Sequence, residues 1–302
     1  MTATGERQRA ARGGSGLDTR ALVVFFALAY TLSWSWAIPL AAAHQVVRRG
    51  VGWPTHLPAL LGPAIAALVV TAWTMGRPGM RDLGARLVRW RVPLRWWLVA
   101  VSPVVFLGLA LAAMDAAGRA LPSMGDFGRF SGTPAIGLAG VLLLIFAGAL
   151  GEETGWRGYA LPELQRRFSP LASSLILAVV WFGWHLPQFW VIATYREFAP
   201  VQYVGMFCGL ACGSVVLTWL YNRSGGSILL VAVWHGLYNF VGATQAATGI
   251  LAAVVSTLIM IQGVVLIVLE VRARRRGRPS VLGAAKVPPA RTLASHPQAR
   301  GG

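Results

Sequence analysis

Long apolar runs separated by short polar segments dominate this chain. Most of them approach the roughly 20 residues that an α-helix needs to cross the hydrocarbon core of a bilayer. The runs are Ala21–Ala43, Leu57–Met75, Trp96–Ala113, a run opening over Ile136–Leu150, Leu171–Val191, Val201–Tyr221, Ile228–Val241 and Ile250–Val271. The pattern predicts an all-α, polytopic membrane bundle of about eight transmembrane helices. Mean hydropathy of +0.59 and a charged content of only 12% agree with it.

Two further features come from the residues between and within these runs. Apolar residues recur at helical spacing among arginines over Met80–Val92. This arrangement predicts a helix lying on the membrane surface, with an ordinary basic loop as the alternative. Pro103 and Pro187 lie inside the third and fifth runs and are expected to bend those helices, because proline removes a helical hydrogen bond.

The two ends of the chain differ from its centre. Residues 1–20 are polar and rich in glycine and arginine, and residues 272–302 are a basic cluster followed by a Pro/Gly/Ala tail. Both ends are predicted to be disordered, because they cannot bury enough apolar surface. The arginine distribution described below also predicts that they are cytoplasmic. The transmembrane domain is expected over 21–271. Its first run resembles a secretory signal but is longer than the usual ~7–15 apolar residues, which favours an uncleaved span.

The net charge of +17 would suit a nucleic-acid partner, but its distribution argues against one. The positive residues are arginines in loops and tails, and the single lysine, Lys286, is a weak sign of GC-rich, bacterial coding. The arginine-poor set of alternate loops holds Arg48, Arg49, Arg119, Arg129 and Arg196. Because positive loops stay inside, this asymmetry predicts a multi-pass protein of the cell (plasma) membrane with both termini cytoplasmic. The bilayer is then its obligatory environment.

Candidate chemistry centres on two adjacent carboxylates, Glu152 and Glu153, which directly follow the apolar run ending at Leu150. Deep in a membrane each would cost about 2.5–3.5 kcal/mol, so such residues usually face a protein-lined cavity and act there. His185 and His235 also lie inside apolar runs. We interpret these residues, with Asn239, as one site that opens toward the cytoplasmic side.

Spacing suggests how these residues are paired. Glu153 and Arg157 are one helical turn apart and can form an ion pair, which leaves Glu152 as the free carboxylate. His235 and Asn239 are likewise one turn apart and project from one helix face. The same residues could instead be structural hydrogen-bonding groups and an interfacial arginine.

Two chemistries remain open for this set. A carboxylate beside an imidazole can take a proton from water and return it to a leaving amine. Alternatively, Glu152, His185 and His235 could bind a catalytic zinc, although the His-Glu-x-x-His helix signature is absent. We favour a site without a metal. If the fourth and fifth spans turn near Arg166, Glu152 and His185 differ in depth by about 7–8 Å.

Three motifs in this order resemble those of the CAAX-prenyl-protease-2/bacteriocin-processing (CPBP, or Abi) intramembrane proteases. They are Glu152-Glu153-x-x-x-Arg157, an aromatic-rich segment ending in His185, and His235-x-x-x-Asn239, and the matching region spans about 135–242. The second motif usually has phenylalanine four residues before the histidine. This chain has Trp181 there, a departure that bears on pocket shape more than on chemistry.

The resemblance implies an eight-helix membrane endopeptidase in which Glu152 and His185 activate a water. It further implies that His235 and Asn239 stabilise the oxyanion and that Glu153 and Arg157 support the site. The expected substrates are membrane-tethered peptides, prenylated or bacteriocin-type. Two rival functions stay open: a proton-coupled transporter, against which the chain lacks duplicated halves, and a non-proteolytic immunity or scaffolding protein.

Overall fold

Apolar sequence forms helix through most of residues 18–283, the part of the chain that the computed structural model describes. The helices are α1 (Thr19–Ala42), α2 (Gly62–Leu87), α3 (Leu94–Ala100), α4 (Ser102–Ala116), α5 (Met124–Phe127), α6 (Gly137–Gly155), α7 (Leu161–Gln165), α8 (Pro170–Trp184), α9 (Gln188–Val191), α10 (Ala193–Arg196), α11 (Pro200–Arg223), α12 (Ile228–Ala243) and α13 (Gly249–Arg275). A 3-10 turn, Leu57–Leu61, precedes α2, and a π-helical turn, Trp156–Ala160, joins α6 to α7.

Helix length and composition confirm the predicted all-α, polytopic class. Within the described residues, six helical segments are long and apolar enough to span a membrane, and α3 with α4 forms a bent pair that would make a seventh. Helix α12 is apolar but has only 16 residues. These segments coincide with the eight predicted runs, although length alone does not establish eight crossings.

The helices are interrupted near both predicted prolines. Helices α3 and α4 meet at an angle of 51°, and Pro103 lies in the first turn of α4. Helix α8 ends at Trp184, three residues before Pro187. The break makes His185 the C-cap residue of α8, so the histidine lies at a helix end.

The predicted surface helix over Met80–Val92 is different in the structure. It continues α2 beyond a break at Gly76, whose φ of 56° is readily adopted only by glycine, and it ends at Leu87. Leu83 is 1% exposed and Arg86 is buried. The apolar stripe therefore packs against the bundle, and Arg86 is buried in the protein rather than exposed on the outer face of a surface helix.

The described termini lie at one end of the bundle, here called the termini end. The amide of Asn222, near the end of α11, donates hydrogen bonds to Gln165 and to the backbone carbonyl of Leu282. Asp18, the N-cap of α1, lies close enough to Glu163 for the two carboxylates to interact electrostatically. The chain thus enters and leaves the described bundle at the same end.

Four connecting segments form a hydrogen-bonded loop layer at the opposite end: 43–56, 126–136, 191–196 and 243–248. Backbone hydrogen bonds join the first segment to the second and third, and the second to the fourth. These bonds run from Val47 to Val191, from Gly50 to Phe130 and from Gln245 to Arg129. The loop layer thereby ties together the ends of the helices that carry the predicted site.

Part of the predicted C-terminal tail is ordered. Beyond α13, the chain turns back so that the buried carboxylate of Glu270 accepts hydrogen bonds from Ser280 and from the amides of Val281 and Leu282. Leu282 itself is fully buried. The predicted disorder is therefore wrong for residues 272–283, while the calls on residues 1–17 and 284–302 lie outside the described residues.

Candidate active site

Two glycines bring the helix of the glutamate pair into close contact with its neighbour. A Cβ on Gly151 would lie 2.9 Å from the carbonyl oxygen of Leu60, and one on Gly155 would lie 2.4 Å from Pro63. The 3-10 turn and the start of α2 can therefore pack directly on α6. This packing leaves both carboxylates inside the protein, with Glu152 4% exposed and Glu153 0% exposed.

Glu153 is the acceptor for two cationic or basic groups. Its Oε1 accepts from Arg157 Nη1 at 2.9 Å, so the ion pair predicted from the one-turn spacing is present. The same oxygen lies 2.8 Å from His235 Nδ1. All three side chains are buried. Glu153 thus joins α6, the π-helical turn and α12, a connection that spacing alone did not reveal.

Trp181 links the other two predicted residues. Its indole Nε1 donates to Glu152 Oε2 at 2.8 Å, and its backbone carbonyl oxygen lies 2.7 Å from His185 Nδ1. A carbonyl oxygen can only accept, so His185 Nδ1 carries the hydrogen and Nε2 is free to accept one. Arg157 also stacks over the Trp181 ring, with Cζ 4.7 Å from its centroid. Trp181, at which the second motif departs from the family pattern, therefore contacts Glu152, His185 and Arg157.

Glu152 and His185 lie at similar depths. Glu152 is thirteen residues before the end of α7 at Gln165, and His185 is fifteen residues after the start of α8 at Pro170. At 1.5 Å per residue, the difference is about 3 Å. The predicted mismatch was too large because the four-residue connection between the helices was not allowed for.

Asn239 is placed less closely than the other predicted residues. It is half-buried on α12, one turn after His235. Among the described residues, no hydrogen bond or ion pair joins it to Glu152, Glu153 or His185. Asn239 therefore lies on the same helix as His235, but within the described residues it forms no hydrogen bond with either carboxylate.

Two residues of the loop layer border the site and were not predicted. His56 is 6% exposed, and burial together with the nearby His185 lowers its pKa from 6.5 to about 4. Its Nδ1 is buried without a hydrogen-bond partner in the described part of the chain. Burial raises the pKa of Tyr195, and the charge of Glu152 contributes to that rise. His56 lies in a loop and Tyr195 in the four-residue helix α10, and neither segment is long enough for the sequence to offer a periodicity that would place them.

The neighbours of the site indicate on which side of the buried core it lies. Between the site and the termini end lie fully buried core residues, including Trp156, Leu161 and Ile228. The polar residues that border Glu152 and His185 come instead from the loop layer. The site therefore lies on the loop-layer side of this core, while the direction in which it opens stays a prediction from the sequence.

The alternative zinc set does not converge on one point. In the residues described here, no group of three or more histidine, cysteine, aspartate or glutamate side chains is arranged to hold a metal ion. Glu152 is bonded to the Trp181 indole, while His235 is bonded to Glu153. The arrangement of these side chains does not fit a resident zinc.

Buried acid–base groups are gathered inside a bundle of membrane-length helices, an arrangement that suits an intramembrane enzyme. A family model described as type II CAAX prenyl endopeptidase Rce1-like matches residues 133–241, which include all six predicted site residues. A CAAX prenyl protease 2 from Methanococcus maripaludis is 27% identical over 220 residues, covering 68% of this chain and 80% of that protein. These matches confirm the predicted resemblance to the CPBP family and support intramembrane endopeptidase activity.

Proposed function

We propose that this protein hydrolyses peptide bonds of membrane-tethered peptides by activating a water molecule with Glu152 and His185. The observation that carries this proposal is the Trp181 bridge, which holds a buried carboxylate and a buried imidazole through one residue. The matched relative is named for cleaving CAAX prenyl proteins, so a prenylated C-terminal peptide is the first substrate to consider.

The proposed reaction begins with proton removal from water. Glu152 takes the proton as the water oxygen attacks the scissile carbonyl carbon, and it later returns that proton to the leaving amine. His185 accepts a hydrogen bond from the same water through Nε2, because its Nδ1 is occupied by the Trp181 carbonyl. Trp181 keeps the two groups facing a common space.

His235 and Asn239 are the proposed donors to the oxyanion. His235 Nδ1 donates to Glu153, so the group available for the oxyanion is Nε2, which donates only when the ring is protonated. The carboxylate of Glu153 favours that protonated form. Each fixed donor is expected to contribute about 3–4 kcal/mol to transition-state stabilisation. Arg157 supports this role by fixing Glu153 from its other side.

Burial of the site supports a tethered substrate. Glu152, His185 and His235 are each at most 8% exposed, so a soluble loop would have to enter the bundle before it met them. A peptide carrying a lipid or transmembrane anchor is already concentrated in the bilayer. We therefore expect the protein to need a bilayer for activity.

The first test is turnover by purified protein with and without a metal chelator. A panel of prenylated and unprenylated peptides is incubated in liposomes, and the products are identified by mass spectrometry. We expect cleavage of prenylated peptides to continue unchanged after chelation, with no stoichiometric zinc in the purified protein. Activity that is lost on chelation and restored by zinc would contradict the metal-free mechanism.

We also propose that the protein crosses the plasma membrane with both termini in the cytoplasm. The arginines of the termini end support this orientation, which places the loop layer on the outer side. In a background where the exposed Cys208 is replaced by serine, Ala85→Cys should react only with a permeant reagent. Gln45→Cys, in the loop layer, should react with an impermeant one in intact cells. The reverse pattern would contradict the orientation.

A further inference from the structure

The turn that follows the glutamate pair departs from α-helical geometry, and its sequence explains why. In the π-helical turn Trp156–Ala160, the amide of Leu161 donates to the carbonyl of Trp156, five residues earlier. In an α-helix, the carbonyl of Gly158 would accept from the amide of residue 162. Residue 162 is proline, which has no N–H and whose ring clashes with that carbonyl. The carbonyl of Gly158 therefore lacks its ordinary helical donor.

Arg86 supplies a donor from another helix. Its Nη1 lies 2.7 Å from the Gly158 carbonyl oxygen and 2.6 Å from the phenolic oxygen of Tyr221, while its Nε donates to Asp82 at 2.8 Å. The arginine is only 9% exposed. Charge-assisted hydrogen bonds of this kind are about twice as strong as neutral ones. One guanidinium thus connects α2, the π-helical turn and α11.

The absence of a side chain at Gly158 permits this approach. A Cβ there would lie 2.9 Å from Ile228 Cδ1 and 3.1 Å from Leu83 Cδ1. Leu83 and Arg86 are three residues apart and share one face of α2. Leu83 therefore packs on the backbone of Gly158 while Arg86 binds its carbonyl, so α2 contacts the turn through two adjacent side chains.

The turn also carries part of the active site. Arg157 immediately precedes Gly158, and its bond to Glu153 requires the turn to keep one orientation. π-helical turns of this kind occur frequently at functional sites. We propose that Arg86 is a positioning residue: it holds the Gly158 carbonyl and thereby keeps Arg157 aimed at Glu153. Its kinetic consequence rests on the proposed function, whereas its structural consequence does not.

Four variants separate this role from a general loss of packing. Arg86→Met removes the donors while keeping a long side chain, and Arg86→Lys restores one charged donor. Tyr221→Phe removes one of the two partners of Arg86 that lie outside the turn, the other being Asp82. Arg81→Met is the matched control, because Arg81 is an exposed arginine on the same helix.

We expect Arg86→Met to lower kcat on an anchored peptide about tenfold, with KM changed less than about threefold. Arg86→Lys should recover most of the loss, and Tyr221→Phe and Arg81→Met should stay within about twofold of wild type. A wild-type kcat for Arg86→Met would overturn the proposal. It would also be overturned if the loss disappeared once rates were corrected for the folded fraction.

Amide hydrogen exchange provides a readout that does not depend on activity. Arg86→Met should increase exchange in residues 156–165 and leave α12 unchanged, while Arg81→Met should change neither. Unchanged exchange in residues 156–165 would contradict the positioning role. If the wild-type protein cleaves no peptide, the proposed function fails, and hydrogen exchange still decides whether Arg86 holds the turn.

Discussion

Glu152→Gln is expected to lower kcat on a membrane-anchored peptide by about 10²–10⁴-fold, with little change in KM. Glutamine keeps the shape of glutamate and can still accept from the Trp181 indole through its amide oxygen, but it cannot take a proton from water. The measurement is a comparison of initial rates in liposomes, corrected for the amount of inserted protein. His185→Ala and His235→Ala should also abolish cleavage while leaving insertion intact.

The chain offers a matched control for this substitution. Glu163 is also a buried carboxylate, but it lies near the termini end in α7 and its nearest cation is Arg166, 3.6 Å away. Glu163→Gln should therefore retain near wild-type kcat. Full activity in Glu152→Gln together with an inactive Glu153→Gln would reverse the proposed roles within the pair.

Removal of Arg157 is expected to lower both stability and activity. Arg157→Met leaves Glu153 as a buried carboxylate facing only His235, and breaking a buried pair on one side costs about 3–5 kcal/mol. The free energy of unfolding can be measured by titration with sodium dodecyl sulfate, followed by tryptophan fluorescence. Cleavage should fall in parallel, because Glu153 no longer holds His235 in place.

A double variant distinguishes loss of charge balance from loss of chemistry. Arg157→Met with Glu153→Gln removes both charges and should regain much of the stability, since a neutral pair carries no uncompensated charge. Its activity should remain low, because glutamine does not favour a protonated His235. If Arg157→Met alone were as stable as wild type, the ion pair would have no measurable structural role.

Local spacing predicted the contacts that lie within one helix. The bond between Glu153 and Arg157 needs only a continuous helix, so its one-turn separation was sufficient. The bond between Glu153 and His235 joins residues 82 positions apart and depends on how α12 packs on α6. The hydrogen bond between Trp181 and Glu152 likewise depends on helix packing. The sequence of an apolar run does not show which of its aromatic residues forms such a bond.

Loops and buried polar side chains were the least predictable features. His56 comes near His185 because the adjoining 3-10 turn packs on the glycines of α6, which requires knowledge of both segments. Arg86 lies among arginines that suggested a membrane surface, yet it is buried and donates to the Gly158 carbonyl, which Pro162 deprives of its α-helical donor. In both cases the deciding partner is distant in sequence.

In the proposed mechanism, Glu152 activates the water that hydrolyses a peptide delivered by the membrane. The most direct measurement compares one peptide, with and without a lipid or transmembrane anchor, in liposomes containing either wild-type protein or Glu152→Gln. We predict that wild-type protein cleaves the anchored peptide and has little activity on the free one, and that Glu152→Gln cleaves neither. Equal cleavage of both forms by wild-type protein, or cleavage of the anchored form by Glu152→Gln, would contradict this mechanism.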